Sequence, residues 1–363
     1  MNYKGKQING KRLFVVIPSL QSAGPIKGAV ALCNGIAEYI DVTLVPLKPT
    51  HDQPNFFIDH RVKLLSFANL GWKEKVTTYR EVLIKAGGRG KTVSLSFCLQ
   101  ADTLNFFMAT YSNIISSVRG NLTDIYRLEY GLKGSVAAYF HLLLLRRFDY
   151  IIAISHAMAQ QLKRFGIRRL ITIGNFIDES NMEGFRFQCK DESDRFRFIY
   201  LARLTRGKRP DLLIDTIRLL VLRGIECHLD IVGDGPLHKT LESRVKDVGL
   251  SPWITFHGHL SYPYDVLQKA DCLVLPSESE GISRAVLEAL FFGIPCIVRD
   301  VDGNRELITP GVNGELFIHD DELVEVMYKM AQNKELRQIG RNLLPDAFRQ
   351  ETNVQCFLKL VLS

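Results

Sequence analysis

Twice along its 363 residues, this chain alternates short apolar runs of strand length with longer amphipathic runs of helix length, and this alternation restricts the fold more than any other feature. In the first half the strand-like runs are 13–18, 41–46, 92–97, 150–155 and 170–173, with helical patterns at 28–39 and 156–165. In the second half they are 196–201, 227–232, 254–257 and 272–275, separated by helical patterns at 210–223, 236–248 and 264–269. Strands interleaved with helices need crossover connections, so each half reads as a parallel sheet covered by helices. A chain of this length exceeds what one core usually holds, and two domains are expected. The segment 175–194, rich in Asn, Glu, Asp and Lys and without an apolar period, is the expected linker. It divides an N-terminal domain, 1–175, from a C-terminal domain, 176–345. In the last segment, 346–363, Phe348, Val354, Phe357, Leu358 and Val361 stand near helical spacing.

Composition removes several classes. The seven cysteines, at 33, 98, 189, 227, 272, 296 and 356, are odd in number and never spaced C-x-x-C, so they read as reduced core thiols of a cytosolic protein. The apolar run 13–17 is expected to be a first strand, too short for a signal sequence, and the run 136–145 falls well below the ~20 residues of a membrane span. Charge is uneven: residues 1–180 carry 23 basic and 12 acidic side chains, a net +11, whereas 181–363 carry a net −4. A basic half points to an anionic partner. No zinc finger, RNA-binding aromatic signature or arginine-rich run accompanies it, so nucleic acid is not expected.

The segment 277–290 reads SESEGISRAVLEAL, with seven residues between Glu280 and Glu288. At about 100° per residue, positions eight apart do not share a face of one continuous helix. The two carboxylates act together only if Glu280 lies in the loop before a helix that carries Glu288, a placement Gly281 favours. They can then face the hydroxyls of a sugar and a ribose while N–H groups of the first turn meet a phosphate. The plain alternative is the exposed face of an amphipathic helix. Arg203 and Lys208 follow a strand end, where fixed cations stabilise a departing diphosphate; the plain alternative is two solvated cations beside Arg206 and Arg209. The Gly233-Asp-Gly235 loop can cradle a phosphate, or can simply precede Pro236 in a first helical turn. In the first half, 19–28 is a strand-to-helix loop holding Gly24 and Lys27, and 116–121 ends another candidate strand with Arg119. Ser155 reads as a helix N-cap and His141 as packing.

Residues 271–298, with their E-x7-E spacing and an A-D-x-x-V-x-P-S lead-in from Ala270, resemble the retaining GT-B glycosyltransferases of family 4. The strand-end Arg203 with Lys208 five residues later, and the segments 302–308 and 310–314, are similar to that family in order and spacing. The resemblance implies an α/β fold of GT-B type, with two Rossmann-like domains facing across a cleft and the last helix packed on the first domain. It implies a hexosyltransferase that moves a sugar from a nucleotide-sugar, a UDP-sugar, to a hydroxyl of a glycan or lipid-linked acceptor in surface-polysaccharide or lipopolysaccharide synthesis. The diphosphate departs as the acceptor attacks the same face of the sugar.

The resemblance also assigns roles. Arg203, Lys208 and Glu280 serve catalysis, with Glu280 on the transferred sugar. Glu288 holds the ribose, and Gly233, the backbone of His259 and Leu260, and the N–H groups of Gly281, Ile282 and Ser283 hold the rest of the donor. Gly24, Lys27 and Arg119 fall to the acceptor side, although Gly24-Pro25 stands where the family has a Gly-Gly pair and Arg119 where many relatives carry a histidine. Asp300-Val-Asp302 has the form of a D-x-D metal motif but falls on a family loop, so no metal and no cofactor are expected. The net +11 of residues 1–180, together with a lipid-linked acceptor, points to a cytoplasmic place, peripheral on an anionic membrane surface. Two rival readings are a sugar-nucleotide 2-epimerase of the same fold and a non-catalytic nucleotide-sugar-binding partner.

Overall fold

The apolar runs of the first half line up as one parallel sheet. In the computed structural model, which describes residues 10–21, 24–50, 56–185, 195–301, 303–332 and 342–362, contacts divide the chain into two units. One is Met1–Asn181 together with Asp346–Ser363; the other is Met182–Pro345. The first unit runs β1 (Arg12–Ile17), α1 (Gly24–Ile36), β2 (Asp41–Pro46), β3 (Lys63–Leu64), α2 (Trp72–Lys85), β4 (Thr92–Phe97), α3 (Cys98–Phe106), β5 (Asn113–Val118), α4 (Leu122–Leu145), β6 (Tyr150–Ala153), α5 (His156–Arg164) and β7 (Leu170–Thr172). Its seven strands are ordered β3-β2-β1-β4-β5-β6-β7, every pair parallel. The order reverses between β1 and β4, and the loops leaving the carboxyl ends of such strands are where ligands of open α/β sheets bind.

Strand β4 is buried along its whole length although every second residue is polar. Its two serine hydroxyls are satisfied by α3: Ser94 Oγ donates to Asn105 Oδ1 at 2.6 Å and Ser96 Oγ to Asp102 Oδ1 at 2.6 Å. Asp102 in turn meets His141 Nε2 of α4 at 2.7 Å, both side chains 2% exposed, and Tyr126 bonds the other ring nitrogen at 3.1 Å. His141, expected to pack, thus packs through a hydrogen-bonded carboxylate. Helix α4 bends at Gly131, whose φ of 60° is open chiefly to glycine. A Cβ on Gly134 would stand 1.8 Å from the Tyr126 carbonyl oxygen, so the two halves close on each other there.

Helix α1 starts at Gly24, four residues before the expected start at 28, and so takes up the end of the loop read at 19–28. Pro25 in the first turn explains this, since its fixed φ suits a helix and the N–H it lacks would have no partner there. Ser155 caps α5 as expected, accepting from Met158 N at 3.1 Å.

After the short α6 (Glu179–Glu183), the second unit runs β8 (Phe196–Leu201), α7 (Pro210–Leu222), β9 (Cys227–Val232), α8 (His238–Asp247), β10 (Ile254–Gly258), α9 (Tyr264–Lys269), β11 (Cys272–Leu275), α10 (Arg284–Phe291), β12 (Cys296–Arg299), α11 (Asn304–Leu307), β13 (Gly314–Phe317) and α12 (Glu322–Gln332). Its six parallel strands are ordered β10-β9-β8-β11-β12-β13, again with the first strand in the middle. The final helix α13 (Gln350–Leu362) belongs to the first unit and buries Val354, Phe357, Leu358 and Val361 in the core that contains α1. The cysteine expectation needs correction: Cys33, Cys227, Cys272 and Cys296 are buried, but Cys98 and Cys356 are exposed. Cys189 and the second part of the expected linker, 186–194, lie outside the described residues.

Candidate functional site

In the second unit the candidate donor residues come together at the carboxyl ends of β8 and β11. The chain leaves β11 at Leu275 and enters α10 only at Arg284, so Glu280 lies in the connecting loop and Glu288 in the second turn of the helix. This is the placement the helical arithmetic requires. Ser283 occupies the N-cap with no side-chain cap bond, which leaves capping of the first turn to other groups. Glu288 is 6% exposed and meets Arg284 Nη2 at 3.3 Å, one turn back on the same helix.

The loop is held from the β8 side. Lys208, which closes the single turn Arg206–Lys208, pairs directly with Glu280; the side chains are 29% and 10% exposed. The backbone N–H of Glu278 donates to Gly207 O at 2.9 Å. Tyr200, buried beneath, has its phenol pushed well above the ordinary range by burial and then by the charges of Glu280 and Asp211. Arg203 is exposed, and its guanidinium makes no hydrogen bond or ion pair among the described residues. Its carbonyl accepts from Tyr200 Oη at 3.0 Å, which fixes the backbone from which the side chain departs.

Two organising residues were not anticipated. Arg209 sits in the left-handed region at φ 49°, ψ 45°, directly before Pro210, and reaches Asp211 at 3.3 Å, Glu278 at 3.2 Å and Asp320 at 2.9 Å. Arg299, at the end of β12 and 9% exposed, pairs with the same Asp320 and donates to the carbonyls of Pro276 at 3.2 Å and Ile318 at 2.9 Å. Burial works to raise the Asp320 carboxyl, but the bonds from Arg299 and Arg209 outweigh it and hold the group below its ordinary value. The signal available in the sequence was a lone charge ending the apolar strand Cys296–Arg299.

Glycine enforces the same packing. A Cβ on Gly303 would lie 1.4 Å from Gly281 O, and Gly303 N donates to Glu280 O at 3.2 Å, so the Glu280 loop rests on backbone at 303. Gly233, at φ 141°, would put a Cβ 2.0 Å from Ala202 O, and Gly235 one 2.5 Å from Leu204 O. These glycines let the β9–α8 loop lie against the β8 loop that carries Arg203. His259 is exposed and Leu260 half-buried, just beyond β10, whose Gly258 O accepts from Gly233 N at 2.8 Å. Asp300 is engaged by Arg305 through two bonds of 2.7 and 2.8 Å, while Asp302 lies outside the described residues. Among the described residues, no group of three or more His, Cys, Asp or Glu is arranged to hold a metal.

In the first unit, Arg119 follows β5 and lies over the Phe97 ring, 4.8 Å from its centroid, while its Nη1 donates to Asn175 Oδ1 at 2.7 Å. The first turns of α1 close on this pair: a Cβ on Gly28 would be 3.1 Å from Asn175 Oδ1 and 3.2 Å from Arg119 Nη1. Gly24 and Lys27 belong to those turns, so the candidate acceptor residues gather at the carboxyl end of this sheet.

Residues 181–342 match the family model described as Glycosyl transferases group 1. The lipopolysaccharide 1,6-galactosyltransferase of Escherichia coli is 31% identical over 176 residues, which cover 47% of this chain and 48% of that protein. The alpha-D-kanosaminyltransferase of Streptomyces kanamyceticus is 28% identical over 157 residues, 42% of this chain and 41% of that protein. The chain thus spans about half the length of the curated relatives it matches. Among solved structures, Anabaena HepE in complex with UDP superposes with a TM-score of 0.75 at 17% identity, covering 97% of this chain and 99% of that one. The likeness shows a shared GT-B fold.

Proposed function

Because residues 181–342 match the family model described as Glycosyl transferases group 1, we propose that this chain is a retaining glycosyltransferase of the family-4 kind that moves a hexosyl group from a UDP-sugar to a hydroxyl of a glycan or lipid-linked acceptor. The observation that carries the reading is the Lys208–Glu280 pair beside the start of α10, with Glu288 buried one helix turn further on. A cation, a carboxylate, a helix N-terminus and a second carboxylate supply partners suited to the diphosphate, the sugar and the ribose of such a donor. Arg203 and Lys208 take the charge that develops on the departing diphosphate. Glu280 orients the transferred sugar; Glu288 accepts from ribose hydroxyls; Gly281, Ile282 and Ser283 donate backbone N–H groups to donor oxygens, with Gly233, His259 and Leu260 bordering the nucleotide. The acceptor hydroxyl attacks the face the diphosphate leaves and passes its proton to a phosphate oxygen, so no protein nucleophile, metal or cofactor is required.

The choice of UDP is supported by the UDP bound to the HepE neighbour, and a role in surface-glycan synthesis by the lipopolysaccharide galactosyltransferase among the relatives. Arg119, Lys27 and Gly24 fall to the acceptor, and a lipid-linked acceptor places the protein peripherally on the anionic cytoplasmic face of a membrane. Thermal unfolding with UDP, UDP-sugars and other nucleotide-sugars tests the reading. A true donor at about 100 times its Kd adds about 2.7 kcal/mol. A folded protein stabilised by none of them would overturn it, and an epimer formed without any acceptor would replace it with the 2-epimerase.

A further inference from the structure

Beyond its kink at Gly131, helix α4 is apolar on two opposite faces. Ala138, Leu142 and Leu145 are buried, together with His141. On the other side Leu132 is 87% exposed, Val136 58%, Tyr139 58% and Phe140 65%. At about 100° per residue these four side chains fall within about 100° of arc, on the side of the helix away from the buried set. A surface helix normally turns a polar face to water. Contiguous exposed apolar side chains of this kind mark an interaction surface.

We propose that the second half of α4 is a membrane-docking face that lies in the headgroup region of an anionic bilayer, with Leu132, Val136, Tyr139 and Phe140 turned toward the acyl chains. This rests on the transferase reading only for the choice of a membrane as the setting. The charge around the stripe selects the occupant. Residues 122–169 carry 8 basic and 3 acidic side chains, and Arg127, Lys133, Arg146, Arg147, Lys163 and Arg164 are all exposed. Of the acids, Asp124 is engaged by Asn121 and Asp149 by Arg89 and Arg169. A second copy docking by a two-fold axis would set these cations against themselves, whereas an anionic lipid surface is complementary to them. Four side chains over about 12 Å of helix also fall short of the roughly 800 Å² per partner of a standard protein interface. Among the described residues no helix is long and apolar enough to cross a membrane, so this face would lie in the interface and not span it.

The test is co-sedimentation with vesicles of neutral phosphatidylcholine alone or mixed with phosphatidylglycerol, at low and high salt. The full-length chain is compared with a Leu132→Ser, Val136→Ser, Phe140→Ser variant, and with Lys133→Ser, Arg147→Ser. The full chain should prefer the anionic vesicles and lose much of that preference in high salt. The apolar variant should partition at least about tenfold less, since each buried CH2 contributes to interfacial binding. The charge variant should lose chiefly the anionic preference. Both should keep the wild-type unfolding temperature and UDP affinity. Equal partitioning of wild type and apolar variant would overturn the proposal, as would no partitioning of the wild type. A wild-type dimer by light scattering that the apolar substitutions turn into a monomer would also overturn it, in favour of a second copy on this face. Vesicle binding without any UDP-sugar binding would instead refute the transferase reading and leave the docking face standing.

Discussion

In the Lys208–Glu280 pair, the cation assigned to the diphosphate is already neutralised by the carboxylate assigned to the sugar. The donor must therefore compete with Glu280 for Lys208, and Glu280→Gln should tighten UDP binding while it slows transfer. An ion pair in contact near a protein surface has a gross attraction of about 4 kcal/mol, and exposed pairs are worth at most about 1 kcal/mol net. With Glu280 10% and Lys208 29% exposed, this pair stands between exposed and buried cases, at roughly 1–2 kcal/mol. Releasing the lysine should lower the Kd for UDP by about tenfold, the equivalent of 1.4 kcal/mol. The amide remains isosteric but holds the reacting sugar less firmly, so kcat with donor and acceptor should fall by ~10²-fold or more. Titration calorimetry with UDP reads the first effect and single-turnover transfer the second. In a double-mutant cycle, Lys208→Met should abolish the gain in UDP affinity. A folded Glu280→Gln protein that binds UDP no more tightly, or a gain that survives Lys208→Met, would refute the competition argument.

Three further outcomes follow from the same geometry. Arg203→Ala should weaken UDP binding and slow transfer together, by about 2–4 kcal/mol in kcat/KM, and unchanged kinetics would remove Arg203 from the diphosphate. Glu288→Gln should mainly raise the Kd for UDP with little change in saturated turnover; UDP held as tightly as by wild type would exclude the ribose role. Transfer should survive EDTA, whereas complete loss restored by manganese or magnesium would make ligands of Asp300 and Asp302 and require Arg305 to release Asp300.

The parallel sheets were legible because their strands are local, nearly continuous apolar runs whose burial leaves little choice of conformation. The place of Glu280 before α10 was legible for a similar reason: helical geometry alone separates it from Glu288. What escaped was set by partners distant in sequence. Arg209 and Arg299 look like ordinary surface cations until Asp320, 111 residues from Arg209, is brought beside both. Gly281 drew attention as the glycine of the loop, yet it is Gly303, packed on the Gly281 carbonyl from a distant stretch of chain, whose Cβ that backbone forbids. The early start of α1 was missed because Gly24-Pro25 reads equally as a turn and as a first helical turn. The apolar run 136–145 could not show that it serves two faces, since one periodic stripe conceals another on the opposite side of the same helix.

Arg209 holds an unfavourable backbone conformation for a residue with a side chain, while its guanidinium touches three carboxylates contributed by three separate stretches of chain. The loops after β8, β11 and β13 are therefore not independent parts that can drift one at a time. A substitution that reshapes the Glu278–Glu280 segment for a different sugar disturbs charge balance at Asp320 and, through it, the grip of Arg299 on the Pro276 carbonyl. Donor preference in such a frame should diversify through coordinated sets of changes. Laboratory selection for a new donor should accordingly recover substitutions near 209, 278 and 320 as companions to those that touch the sugar itself, and single changes at these positions should be tolerated poorly in isolation.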